Sequence, residues 1–81
     1  MTLETFIKIK FGTQNKLGEA LEVGQNTVNR WYNNDPKKFF THVQQLAKWG
    51  DVPVEEVVDM IEQRCTDVRH LQAVRKWIAF A

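Results

Sequence analysis

The residues of this chain best suited to chemistry are amides. Between Gln25 and about Asn33 the spacing predicts a short helix that turns Val28, Trp31 and Tyr32 inward. Gln25, Asn26, Asn29, Arg30 and Asn33 then look outward, with no acid among them. A side-chain amide donates and accepts hydrogen bonds at once, so a row of amides can pair with groups that carry both functions. The plain alternative is a face that only meets water, a task Glu and Lys perform better. Other reactive side chains assemble into nothing. His42, His70 and the single Cys65 lack metal-ligand spacing, and Cys65 on an apolar stripe reads as a small buried hydrophobe. No paired carboxylates, nucleophile with base, or phosphate loop can be built from these residues, so neither an enzyme nor a cofactor is expected.

What must position the amides is a small domain. The chain has 81 residues, 43% hydrophobic and 26% charged, a globular composition that excludes disordered and collagen-like classes. Four Gly and two Pro are too few turn residues for an all-β fold, which leaves an all-α one. No apolar run approaches the roughly 18 residues of a membrane span. With one cysteine and no charged-then-apolar leader, a cytoplasmic location is the expectation. Residues 1–50 carry seven basic and four acidic side chains; residues 51–81 carry four basic and six acidic ones. A basic front half joined to an acidic back half fits a polyanion-binding module with a separate interaction tail, although ordinary charge scatter would give the same counts.

Five helices account for most of the chain. Thr2 caps the first, which presents Leu3, Phe6 and Ile7 on one face and ends at Gly12. Thr13 caps the second, Gln14 to about Glu22, with Leu17, Ala20 and Leu21 apolar. After Val23-Gly24 comes the amide-bearing third helix. Asp35-Pro36 opens a fourth that runs to about Trp49, buries Phe39, Phe40, Val43, Leu46 and Ala47 together with Trp49, and closes at Gly50. The fifth follows Pro53 with Glu55 and Glu56 at its positive end. It either continues to the end of the chain or kinks near Cys65-Thr66-Asp67, where Thr66 would cap a sixth.

Residues 13–31, TQNKLGEALEVGQNTVNRW, resemble the helix-turn-helix of the phage Cro and repressor family of DNA-binding proteins. Leu17, Leu21, Val23, Val28 and Trp31 fill its apolar slots, and Gly18 stands where the backbones approach. The resemblance extends over residues 1–63 as a DNA-binding domain and leaves 64–81 as a C-terminal helical extension. The turn departs from the pattern, since that family usually has Gly where this chain has Glu22, so a local difference is expected there. The resemblance implies that the third helix enters the major groove of double-stranded DNA. Gln25, Asn26, Asn29 and Arg30 then face base edges, the amides being matched to adenine N6 and N7. Thr13, Gln14, Lys16, Thr27, Asn33, Lys37 and Lys38 are the corresponding phosphate contacts.

So small a module reads few bases, and two copies on adjacent half-sites are the usual remedy. An apolar stripe, Val57, Ile61, Cys65, Val68, Leu71, Val74 and Ile78, with Trp77 and Phe80 nearby, exceeds what the core can obviously absorb. Val68, Leu71, Val74, Trp77 and Ile78 are therefore the candidate homodimer or partner interface; folding back over the same domain is the rival. The resulting expectation is a Cro-like phage or prophage repressor that occupies an operator. The alternatives are an antitoxin-like autoregulator with a toxin on its C-terminal helix, and a protein-interaction adaptor that does not bind DNA.

Overall fold

The computed structural model describes residues 1–80, with side chains through Lys76. It is an all-α, five-helix bundle with no strand among the described residues. In α1 (Leu3–Lys10) the Thr5 N–H donates to the Thr2 hydroxyl at 3.1 Å, Glu4 lies in the first turn and Lys8 and Lys10 in the last, so both ends complement the helix dipole. The N–H groups of Phe11 and Gly12 both donate to the Ile7 carbonyl, a closure that requires the left-handed backbone of Gly12 (φ 90°). Thr13 caps α2 (Gln14–Leu21) in the same manner, through Lys16 N–H at 3.1 Å.

The connection from α2 to α3 (Gln25–Asn34) is three residues long. Glu22 occupies the left-handed region (φ 60°, ψ 38°), and Val23 N–H returns to the Gly18 carbonyl at 2.9 Å. The turn thus keeps the left-handed conformation although Gly is absent, at a cost of roughly 1–2 kcal/mol that the burial of Leu21 and Val28 on either side offsets. Gly18 is required for closeness: a Cβ there would stand 2.8 Å from the Val23 carbonyl oxygen.

The expected fourth helix is two elements. Pro36–His42 is a 3-10 segment and only Val43–Gly50 (α4) is α-helical. A 3-10 turn repeats every three residues, so Pro36 and Phe39 eclipse each other and both point into the core. Phe40 is consequently rotated outward and 38% exposed, not buried. In α4 the buried side is Leu46, Ala47 and Gly50, with Val43 packed against the core. Trp49 falls beyond the edge of that side and is 62% exposed, which corrects its expected place in the core.

Gly50 does not end α4 by adopting a left-handed backbone; Asp51 does so (φ 53°). Its role is steric. A Cβ on Gly50 would come within 2.4 Å of Phe6 Cζ, and Phe6 is fully buried and has nowhere to go. Gly50→Ala is therefore expected to destabilise the fold by about 1–3 kcal/mol, against the roughly 1 kcal/mol that helix propensity alone would return. Urea unfolding measures this, and Phe6→Leu in the same background should recover part of the stability.

The fifth helix, α5 (Val54–Phe80), is continuous. Thr66 starts no new helix: its hydroxyl donates to the Glu62 carbonyl one turn back, at 3.2 Å, and Gln63 bridges to Asp67 across the same turn. Val57, Met60, Ile61 and Val68 are buried, packed against α4, α1 and the 3-10 segment. At 1.5 Å per residue, 27 residues span about 40 Å. The molecule measures 45 × 25 × 21 Å, so the far end of α5 extends past the body, and residues 71–76 are all exposed.

Candidate nucleic-acid interface

α3 is held from behind by three contacts. Val28 is fully buried. Trp31 receives the Phe39 ring edge-on, with centroids 5.6 Å apart and planes at 89°, and stacks on His42 at 5.7 Å and 25°. The His42 Nδ1 is paired with Gln45 Oε1 at 2.7 Å. At the C-terminal end of α3, Arg64 of α5 lays its guanidinium 3.9 Å over the Tyr32 ring and donates Nε–H to the Tyr32 carbonyl at 2.9 Å. A cation on the negative end of the helix dipole is thereby also stacked on an aromatic face. Burial pushes the Tyr32 phenol above its usual range, and the Arg64 charge opposes part of that rise.

The outward face is polar and open. Gln25, Asn26, Asn29, Arg30 and Asn33 are all exposed, whereas Gln14 and Thr27 are half-buried. Asn29 lies at the centre of an amide chain: its Nδ2 donates to Gln14 Oε1 at 3.2 Å, and Asn33 Nδ2 donates to Asn29 Oδ1 at 3.2 Å and to the Asn29 carbonyl at 3.0 Å. This leaves Asn29 one N–H and one oxygen lone pair uncommitted, in a fixed plane. An amide so oriented can donate to one atom and accept from its neighbour on the same base edge.

Of the candidate phosphate contacts, Thr27 and Asn33 lie on α3 itself, and the other five separate into two sets. Thr13, Gln14 and Lys16 flank the amide chain at the start of α2, and Gln14 belongs to the chain itself. Lys37 instead lines a groove between the 3-10 segment and α5, with Asn34, Asp35, Phe40, Glu62 and Arg69, and its Nζ stands 3.9 Å from Asp35 Oδ1. Lys38 is exposed beside it. Of the candidate interface residues, Val68 is only 4% exposed because its own chain covers it, so it serves the core and offers nothing to a second molecule. Leu71 and Val74 are 46% and 42% exposed; the Trp77 and Ile78 side chains lie outside the described residues. Burial raises the pKa of the Cys65 thiol, and the nearby Arg69 charge opposes part of that rise. Among the described residues no three His, Cys, Asp or Glu side chains gather into a metal site, and no helix is long and apolar enough to cross a membrane.

Arg64 escaped the reading of the sequence. Its signal was available, since it stands three residues after Ile61 and four before Val68, a cation on the core side of α5. Arg64→Gln is expected to cost about 1–2 kcal/mol, the worth of a charged hydrogen bond and a partly exposed cation–π interaction. Amide exchange should quicken at the end of α3 more than elsewhere; uniform acceleration would contradict a local clamp. No protein-family model, curated protein or solved structure matches the chain.

Proposed function

We propose that this protein binds double-stranded DNA in a sequence-dependent way, with α3 in the major groove, and regulates transcription as a Cro-like phage or prophage repressor does. One observation carries the reading: an exposed, acid-free amide face on a helix clamped at Val28, Trp31 and Tyr32, with Asn29 oriented by Gln14 and Asn33. The three-residue turn after α2 and the close approach at Gly18 support the resemblance in residues 13–31. In this reading Gln25, Asn26, Asn29 and Arg30 meet bases, while Thr13, Gln14, Lys16, Thr27, Asn33, Lys37 and Lys38 meet phosphates. Exposed Leu71 and Val74 on the projecting end of α5 support the pairing of two copies on adjacent half-sites, or of one copy with another protein.

The test is selection of duplexes from a randomised pool by the full chain, followed by titration of the selected and a scrambled duplex at rising salt. Discrimination between the two, with affinity falling steeply as salt rises, is expected. Binding that is absent, or indifferent to both sequence and salt, rejects the reading and favours an adaptor that meets proteins only.

A further inference from the structure

The acid and base of α5 are sorted along its length. From Val54 to Asp67 it carries five acids, Glu55, Glu56, Asp59, Glu62 and Asp67, against Arg64 alone; from Val68 onward it carries Arg69, Arg75, Lys76 and His70 and no acid. The acidic half lies along the body, and the basic half includes the part that extends past it. Arg69, Arg75 and Lys76 are exposed, and among the described residues none of them has an ion-pair partner. None of the three lies in the last turn of α5, so dipole complementarity does not account for them.

Position gives this charge a use. Arg69 lines the same groove as Asn34, the last residue of α3, and Lys37. One turn earlier, Arg64 ties α5 to the Tyr32 carbonyl. The basic end of α5 therefore departs from the C-terminal end of the amide-bearing helix. Asp35 and Glu62 also line the groove and offset Lys37 and Arg69 there; Arg75 and Lys76, further along, have no such counterweight within residues 68–76.

We infer that the basic end of α5 is a second, sequence-independent DNA contact, in which Arg69, Arg75 and Lys76 hold the phosphate backbone flanking the site read by α3. The inference rests on the DNA-binding reading above and adds to it a footprint longer than the amide face could cover. It also assigns a role to a stretch of cations hidden by the net acidity of residues 51–81.

The experiment compares the full chain with a variant carrying Arg69→Gln, Arg75→Gln and Lys76→Gln, and with a control carrying Lys8→Gln and Lys48→Gln. Each is titrated with the selected and scrambled duplexes over a salt series. The slope of log affinity against log salt should shrink by about 0.9 for each phosphate that the variant no longer neutralises, up to about 2.7 for the triple variant. The ratio between selected and scrambled duplex should hold, and the control slope should stay near wild type. An unchanged slope in the triple variant, or an equal fall in the control, overturns the inference. Wild-type protein that discriminates through Asn29 while the triple variant keeps its slope removes this inference alone; wild-type protein that binds no duplex removes the underlying reading as well. Wild-type binding to vesicles of phosphatidylserine and phosphatidylcholine that the triple variant lacks, with its DNA slope unaltered, would reassign the basic end to a membrane surface and likewise overturn it.

Discussion

Phe39→Ala should destabilise the protein by about 3–5 kcal/mol, the usual cost of emptying a fully buried phenylalanine site. For a chain of 81 residues the whole folding free energy is of order 4–12 kcal/mol, so one substitution removes about a quarter of it or more. The effect reaches the candidate interface directly. Phe39 is the edge-on partner of Trp31, and Trp31 backs the amide face of α3. Lying in the 3-10 segment, Phe39 also joins α3 to the part of the chain packed on α5. Urea unfolding followed by circular dichroism measures the change as a fall in midpoint. A change below about 1 kcal/mol would mean that neighbouring side chains collapse into the space, and that Phe39 is not the support assigned to it. Duplex binding should weaken in parallel, for selected and scrambled sequences alike, because the variant populates fewer folded molecules.

Asn29→Ala should act in the opposite sense, sparing the fold and removing discrimination. Asn29 is exposed, and the Gln14 and Asn33 amides it leaves behind are within reach of water, so stability should change by no more than about 0.5 kcal/mol. A bidentate amide–base pair is worth about 1–3 kcal/mol of selectivity, which corresponds to a fall of roughly 5- to 150-fold in affinity for the selected duplex. Affinity for the scrambled duplex should barely move, since phosphate contacts supply it. Equal falls on the two duplexes would show that Asn29 reads no base. Asn29→Asp should discriminate less still and bind both duplexes more weakly, because it exchanges the donating N–H groups for a negative charge against a polyanion.

Local signals in the chain were sufficient for much of this architecture. A hydroxyl next to its own helix caps it wherever it occurs, so Thr2 and Thr13 placed two helix starts. The three-and-four spacing of Leu3, Phe6 and Ile7, of Leu17 and Leu21, and of Leu46 and Ala47 from Val43 marked faces that turn to the core. The outward placement of Gln25, Asn26, Asn29, Arg30 and Asn33 followed from the same periodicity. These features depend on neighbours within one or two turns, which is the range over which sequence order is also spatial order.

Other features needed the whole molecule. Pro36–His42 winds as a 3-10 segment with Pro36 and Phe39 buried together, and that choice turned Phe40 to the surface. Glu22 keeps a left-handed turn because the packing of α2 on α3 outweighs its strain. Gly50 is required by Phe6, far earlier in the chain, and Arg64 acquires its role from a carbonyl 32 positions away. The division of α5 into a packed half and a projecting half, with Val68 inside and Leu71 outside, is set by where the body stops. Composition and period therefore determined an all-α chain with an amide-bearing third helix. Which surfaces stay open was decided by contacts between residues distant in sequence, whose energies no local pattern records.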